Sequence, residues 1–244
     1  MSLGLTSVTF RKLSVEQITE LAVKAGAEVI EWGGDVHVTD IPSAEKAASL
    51  CARAGISIHS YGSYYRLGTN MTDFEDVCKT AAALGAHIIR VWLGDKGSAY
   101  TDNALLAKLV NEARSICDTA ARYNLTVASE FHNNTYNDTS ESCLDFLKLA
   151  GKSNLKTYWQ PMYARRDTQN LNAVVDRTSV VHMFYWSRFG IRYPLSRGED
   201  RVREFARILR NANYGGDVIL EFVKGDSPER FIEDFALLKA IMSE

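Results

Sequence analysis

Eight short apolar runs recur along the 244-residue chain, separated by stretches with helical patterning. The runs cover residues 5–10, 27–32, 56–61, 87–93, 126–131, 156–159, 180–185 and 217–223. Each is rich in β-branched or aromatic residues, too short for a helix, and apolar at nearly every position, as a strand buried on both faces must be. The stretches between them carry helix signals. Ser14 with Gln17 and Thr72 with Glu75 read as capping boxes, and Ser227 followed by Pro228 reads as an N-cap with proline in the first turn. Thr101 and Thr139 are expected to cap the helices after the fourth and fifth runs. Gly26, Gly55, Gly85 and Gly151 fit the left-handed position that ends a helix. Eight uninterrupted β-then-α units with no linker between them predict one α/β domain over residues 1–244, a closed (β/α)8 TIM barrel. An open doubly wound sheet is the competing architecture. No G-x-G-x-x-G follows the first run, so its dinucleotide-binding version lacks support.

Charge narrows the function classes. A formal net charge of -2 gives no general attraction to nucleic acid or to anionic membranes. No apolar run approaches the ~20 residues that span a bilayer. The first residues carry no basic region leading into an apolar core, so a cytoplasmic location is expected. The four cysteines, Cys51, Cys78, Cys117 and Cys143, are scattered and form no C-x-x-C pair, which reads as small apolar filler in a reducing compartment. The N-x-S/T matches at Asn124, Asn133 and Asn137 read as chance.

In a barrel of this kind, the C-terminal strand ends and the loops that follow them carry the chemistry. That rule singles out Arg11, Glu31, His59, Arg90, Glu130, His132, Gln160, His182 and Glu221. Four consecutive runs, the fifth to the eighth, each present one oxygen or nitrogen ligand: Glu130, Gln160, His182 and Glu221. A charge inside an apolar strand costs several kcal/mol unless it is paired or metal-bound. Trp92, Tyr61, Tyr64, Tyr65, Trp186 and other aromatics gather near the strand ends, as suits a pocket with flat apolar walls and hydrogen-bonding edges.

The run Ser129-Glu130-Phe131-His132, the run Val180-Val181-His182 and the stretch from Gly215 to Glu221 resemble the sugar isomerases and epimerases of the xylose-isomerase-like superfamily. Pro194-Leu195 and Gly198 resemble that family's segment after the seventh strand, and the likeness covers essentially the whole chain. In the ketose 3-epimerases of this type, Glu, Asp, His and Glu on strands five to eight hold one divalent metal. The resemblance implies Glu130, Gln160, His182 and Glu221 as the metal ligands, Arg188 as a substrate-binding arginine and His59 as a substrate-binding histidine of strand three. Trp92 and His132 are further expected substrate contacts. Three positions depart from the pattern. Gln160 stands where the family has aspartate, Tyr163 replaces a histidine and Tyr136 replaces a glutamate. A neutral ligand forgoes a charge pair worth about 4 kcal/mol at ~4 Å and an effective dielectric of ~20, so weak metal binding is expected. Nitrogen and oxygen ligands without thiolate favour Mn2+ or Mg2+ over Co2+ or Zn2+.

The implied chemistry is proton transfer at a carbon beside a carbonyl. A divalent metal stabilises the enediolate, and Glu130 and Glu221 serve as the acid/base pair. The expected ligand is a sugar or sugar phosphate, with a homo-oligomer left open. Two alternatives compete: a barrel that binds sugar without chemistry, and a relative of the zinc-dependent abasic-site endonucleases. The second needs many histidines and a basic groove, and this chain has five histidines and a slight negative charge.

Overall fold

The computed structural model describes residues 1–69, 72–162, 166–187 and 189–244. Eight strands form the barrel: β1 Ser2–Thr6, β2 Val29–Gly33, β3 Ser60–Gly62, β4 Ile88–Leu93, β5 Thr126–Glu130, β6 Leu155–Trp159, β7 Thr178–Met183 and β8 Asp217–Leu220. Every neighbouring pair is parallel, and β1 against β8 closes the ring through Leu5↔Leu220. A two-residue strand, Arg66–Leu67, adds to the upper edge of β4. Eight helices follow the strands: α1 Val15–Ala25, α2 Ile41–Ala54, α3 Phe74–Leu84, α4 Asn103–Ala121, α5 Ser140–Ala150, α6 Asp167–Val174, α7 Glu199–Asn211 and α8 Pro228–Met242. The main core lies between strands and helices, built on residues such as Ile30, Trp32, Trp159, Phe231 and Phe235. No helix among the described residues is long and apolar enough to cross a membrane.

The local signals account for most boundaries. Ser14 and Gln17 form a reciprocal capping box, Thr139 caps α5, Ser227 caps α8, and Gly26, Gly55, Gly85 and Gly151 all end helices in the left-handed conformation. Two caps differ by one residue. Asp73 rather than Thr72 caps α3, and Asp102 rather than Thr101 caps α4, each with a carboxylate accepting a first-turn N–H. Carboxylate caps also suit the positive end of the helix dipole.

The first strand differs more. It ends at Thr6, and Ser7–Phe10 forms a 3-10 turn. Beyond Thr6, Ser7 supplies a side chain in place of main-chain pairing, its hydroxyl accepting the Gly33 N–H at 2.8 Å. An apolar run marks burial, and buried turns are apolar too, so composition does not separate the two.

The segment after β7 is pinned to α8 by a buried carboxylate. Asp234 accepts the Leu195 N–H at 3.0 Å. Burial pushes its carboxyl up to about 6 from an ordinary 3.8, against the opposing pull of the Leu195 N–H and Arg230. The folded chain thus holds this proton more tightly than the unfolded one. The associated stability is present below pH 4 and is lost as pH rises toward 6. Asp234→Asn keeps the acceptor and removes the charge. Urea unfolding should show the variant gaining on the wild type between pH 4 and pH 7, by about 1–3 kcal/mol. A difference that does not change with pH would mean that Asp234 does not titrate in this interval.

Candidate active site

Strand periodicity builds the site. Inside the barrel, Val29, Ala128, Tyr158, Val180 and Ile219 form a separate apolar cluster, with Ile88 packed against it. Residues two apart on a strand face the same side. The next inward layer toward the C-terminal ends is therefore Glu31, Arg90, Glu130, Gln160, His182 and Glu221, and all six are buried. β3 contributes Gly62 here. A β-carbon at Gly62 would come within 3.2 Å of Glu31 Oε1 and 3.3 Å of Arg90 Nη2, so its absence leaves room for that ion pair.

Glu31 Oε1 lies 3.3 Å from Arg90 Nη1 and 3.2 Å from His182 Nε2. The Thr6 and Ser60 hydroxyls donate to the Glu31 carboxylate at 3.3 and 3.1 Å. Arg90 Nε stands 3.5 Å from Glu130 Oε2, and the Trp92 indole N–H donates to the same oxygen. His182 Nδ1 lies 3.5 Å from Glu130 Oε1 and 3.4 Å from Glu221 Oε2. Despite these approaches, neither His182 nitrogen makes an aligned hydrogen bond.

The electrostatics follow from burial against pairing. Burial alone would push the Glu31 and Glu130 carboxyls up. His182 and Arg90 more than offset it at Glu31, as Arg90 and then His182 do at Glu130, and both are held at about 2. Burial would lower the His182 imidazole, but Glu221, Glu31 and Glu130 raise it well above its ordinary value. With a neutral imidazole, the three carboxylates Glu31, Glu130 and Glu221 exceed the one guanidinium of the layer by two charges. A dication cancels that excess.

Three features fit a divalent cation held by Glu130, His182 and Glu221. One is the charge excess. Another is the buried His182 Nδ1 with carboxylate oxygens on two sides and no hydrogen bond. The last is spacing: one ligand atom from each residue lies within 4.8 Å of the others. Ligands ~2.1 Å from a shared cation stand about 3–4 Å apart. Glu31 against Nε2 then takes the part of the carboxylate that orients a metal-bound histidine. Gln160 Nε2 donates to the Phe131 carbonyl at 2.7 Å, which fixes the amide so that Oε1 is the end left for the pocket.

Above the layer opens a cavity of about 200 Å3, walled by Tyr64, Trp92, Phe184, Trp186 and Phe222, with Arg90, Glu130, His132, Gln160 and Glu221 as its polar lining. His132 stacks near Trp92, ring centroids 5.4 Å apart. Its Nδ1 faces the Asn133 carbonyl at 2.5 Å and so carries the proton, which leaves Nε2 as the bare nitrogen.

His59 does not join this group. It precedes β3, and its Nδ1 lies 3.0 Å from both carboxylate oxygens of Asp217, the first residue of β8. It therefore belongs to the N-terminal end of the barrel, where its ring neighbours His87. The run at 56–61 suggested a strand ending just after His59, but β3 starts at Ser60, so its C-terminal end carries Gly62 instead. Arg188 and Tyr163 lie outside the described residues. Sequence reasoning placed Glu31 and Arg90 at the rim but gave them no role. The signal was available in the two-residue step from Val29 and Ile88, which puts both in the layer with Glu130.

Residues 19–241 match the family model described as xylose isomerase-like TIM barrel. The chain belongs to that family. Among curated relatives, this xylose isomerase-like barrel is 29% identical over 169 residues to a 3-dehydroshikimate dehydratase of Bacillus anthracis, covering 64% of this chain and 60% of that protein. It is 28% identical over 161 residues to a probable L-ribulose-5-phosphate 3-epimerase of Mycoplasma pneumoniae, covering 62% and 50%. The matched stretches thus span three fifths and half of those relatives' lengths. Among solved structures, a probable 3-DHS dehydratase of Bacillus anthracis superposes with a TM-score of 0.84 at 20% identity, over 98% of this chain and 99% of that chain. D-psicose 3-epimerase of Clostridium cellulolyticum H10 gives 0.78 at 15% identity, over 100% and 98%. At these identities the likeness establishes the fold.

Calorimetric titration with Mn2+ as probe tests the cation site. A raised His182 proton must leave before Nδ1 can ligate. Binding at pH 7 should release close to one proton, seen as a dependence on buffer ionisation heat, and affinity should fall about tenfold per pH unit below that. Glu31→Gln should weaken Mn2+ by about 10–100-fold, the usual loss when a histidine's outer partner is altered. Binding without proton release would place the cation away from His182.

Proposed function

We propose that the protein is a metal-assisted isomerase or epimerase that moves a proton on a carbon next to the carbonyl of a sugar or sugar phosphate. The convergence of Glu130, His182 and Glu221, with both glutamates lining an aromatic-walled cavity, carries this reading. The names of two curated relatives, a 3-epimerase and a dehydratase, support it at the level of reaction type. Aromatic faces hold the carbon skeleton, and Gln160 and His132 offer an acceptor oxygen and a bare nitrogen to its hydroxyls. A divalent cation, Mn2+ or Mg2+ by its nitrogen and oxygen ligands, would stabilise the negative charge that develops on the carbonyl oxygen. Glu221 takes the proton from the carbon, and Glu130, entering the step protonated, supplies the proton that replaces it, so the two glutamates exchange protonation states. Return to the opposite face of the same carbon epimerises, and return to the neighbouring carbon isomerises.

Dehydration of a hydroxy-ketone is the second reading, favoured by an asymmetry between the two glutamates. Glu130 is tied by Arg90 and the Trp92 indole and held at about 2, whereas Glu221 meets His182 alone as an ion-pair partner among the described residues. A single base suits dehydration, because the proton that Glu221 takes from the carbon can be handed back to the departing hydroxyl, which leaves as water.

Both readings share their first step, so one assay covers them. In deuterated solvent with Mn2+, NMR across a panel of ketoses, ketose phosphates and cyclic hydroxy-ketones should show exchange at the carbon beside the carbonyl. Glu221→Gln should lower the rate by about 10²–10⁴ once metal occupancy is matched. Exchange with an epimeric or isomeric product supports the first reading. A conjugated enone, seen by ultraviolet absorbance, supports the second. No exchange with any member by the metal-loaded protein would overturn both and leave a binding barrel.

The neutral ligand position gives a separate expectation. Gln160→Asp adds a carboxylate where Oε1 faces the pocket and should tighten Mn2+ binding by at least about tenfold, since one charge pair near a dication is worth more than 1.4 kcal/mol. Unchanged affinity would exclude Gln160 from the cation's shell.

A further inference from the structure

Phe222 directly follows Glu221 and has φ of 46°. A bulky side chain in the left-handed region is crowded by its own β-carbon and is uncommon there. Such a conformation persists only where the surroundings over-determine it. Two side chains from two other loops do so here. Thr9 Oγ1 accepts the Phe222 N–H at 2.9 Å, and the Trp186 indole donates to the Phe222 carbonyl at 3.3 Å. Thr9 is 2% exposed and lies in the 3-10 turn after β1. The hydrogen bond spans 213 residues of sequence and joins the first βα loop to the last strand across the seam that closes the barrel.

The position of this turn matters because of what precedes it. Glu221 N–H donates to the Met183 carbonyl at 3.0 Å, which continues the pairing of β8 with β7. On its other side, the pairing with β1 ends at Leu5↔Leu220, and the next main-chain groups held by described residues are the N–H and carbonyl of Phe222. The left-handed turn ends the strand at that point. It sends the Phe222 ring into the cavity wall, where Arg192 covers it at 4.4 Å and the Trp186 ring at 5.4 Å. Glu221 is left with its carboxylate 3.4 Å from His182.

We propose that Thr9 is a positioning residue: by accepting the Phe222 N–H it holds the strained turn that keeps the Glu221 carboxylate against His182 and the Phe222 ring in the wall. This rests on the reading of Glu221 as a member of the working site, but its geometric half stands apart from any metal or reaction.

The test compares Thr9→Val, which keeps the shape and removes the acceptor, with Thr9→Ser, which keeps the acceptor. Mn2+ affinity by calorimetry, urea stability and crystal structures are measured for each. Thr9→Val is expected to weaken Mn2+ by about 10–100-fold, with the Glu221–His182 approach opened beyond hydrogen-bond range, while Thr9→Ser stays within about threefold of the wild type. In a Phe222→Gly background, Thr9→Val should lose most of its effect, because glycine adopts this φ unaided. A Thr9→Val protein that is less stable but keeps its Mn2+ affinity and its Glu221–His182 contact overturns the proposal. So does Thr9→Ser behaving like Thr9→Val. If the wild type binds no Mn2+, the metal reading fails by itself, and the crystallographic contact alone decides for or against Thr9. Should Thr9→Val not fold, Thr9→Cys, a poorer acceptor of nearly the same size, carries the same criteria.

Discussion

The structure turns on one contest: three carboxylates taken out of water inside a barrel, against the few cations placed to meet them. Isolated buried carboxylates would be protonated, and the layer would lose its charge. Arg90 prevents this by lying within 3.5 Å of both Glu31 and Glu130. Gly62 makes room for the guanidinium, Thr6 and Ser60 supply hydroxyls to Glu31, and His182 stands between the remaining oxygens. Every strand but one contributes a polar side chain at this level, and the exception contributes a glycine that the same pairing requires. Once His182 gives up its proton, the compensation is incomplete by the charge of a divalent ion. Residual imbalance of that kind costs stability unless function uses it.

Much of this was legible in the sequence. Eight apolar runs of strand length gave the barrel, because parallel strands covered on both faces have no polar side to show. The glycines after α1, α2, α3 and α5 stop those helices for a local reason, left-handed backbone, that no tertiary contact can override cheaply. Glu130, Gln160, His182 and Glu221 could be picked out because each is a polar residue within or directly after an otherwise apolar run.

What stayed hidden depends on register and on packing between distant segments. His59 sits one residue before β3 begins, and that small offset moves it to the opposite end of the barrel, against Asp217. Composition cannot fix an offset of that size. Ser7–Phe10 is as buried as a strand but turns, because pairing runs out at Leu5 on one side and at Thr6 on the other. Arg90 looked like one more rim cation until its distance to two carboxylates was known. The left-handed Phe222 carries no local sign at all, since its cause is a threonine 213 residues away.

The apolar cluster of Val29, Ala128, Tyr158, Val180 and Ile219 has a further effect on the layer above it. These side chains are wholly buried and fill the barrel beneath Glu31, Glu130 and His182, with the Tyr158 ring packed against the imidazole at 5.3 Å. They act as a stopper. This largely apolar packing sets the charged layer apart from solvent on that side, and its polar groups face solvent at the upper mouth. A ligand seated in that mouth closes the vessel. How often label from the solvent appears in a product then becomes a measure of how readily the protonated carboxylate meets water at that mouth before the ligand leaves.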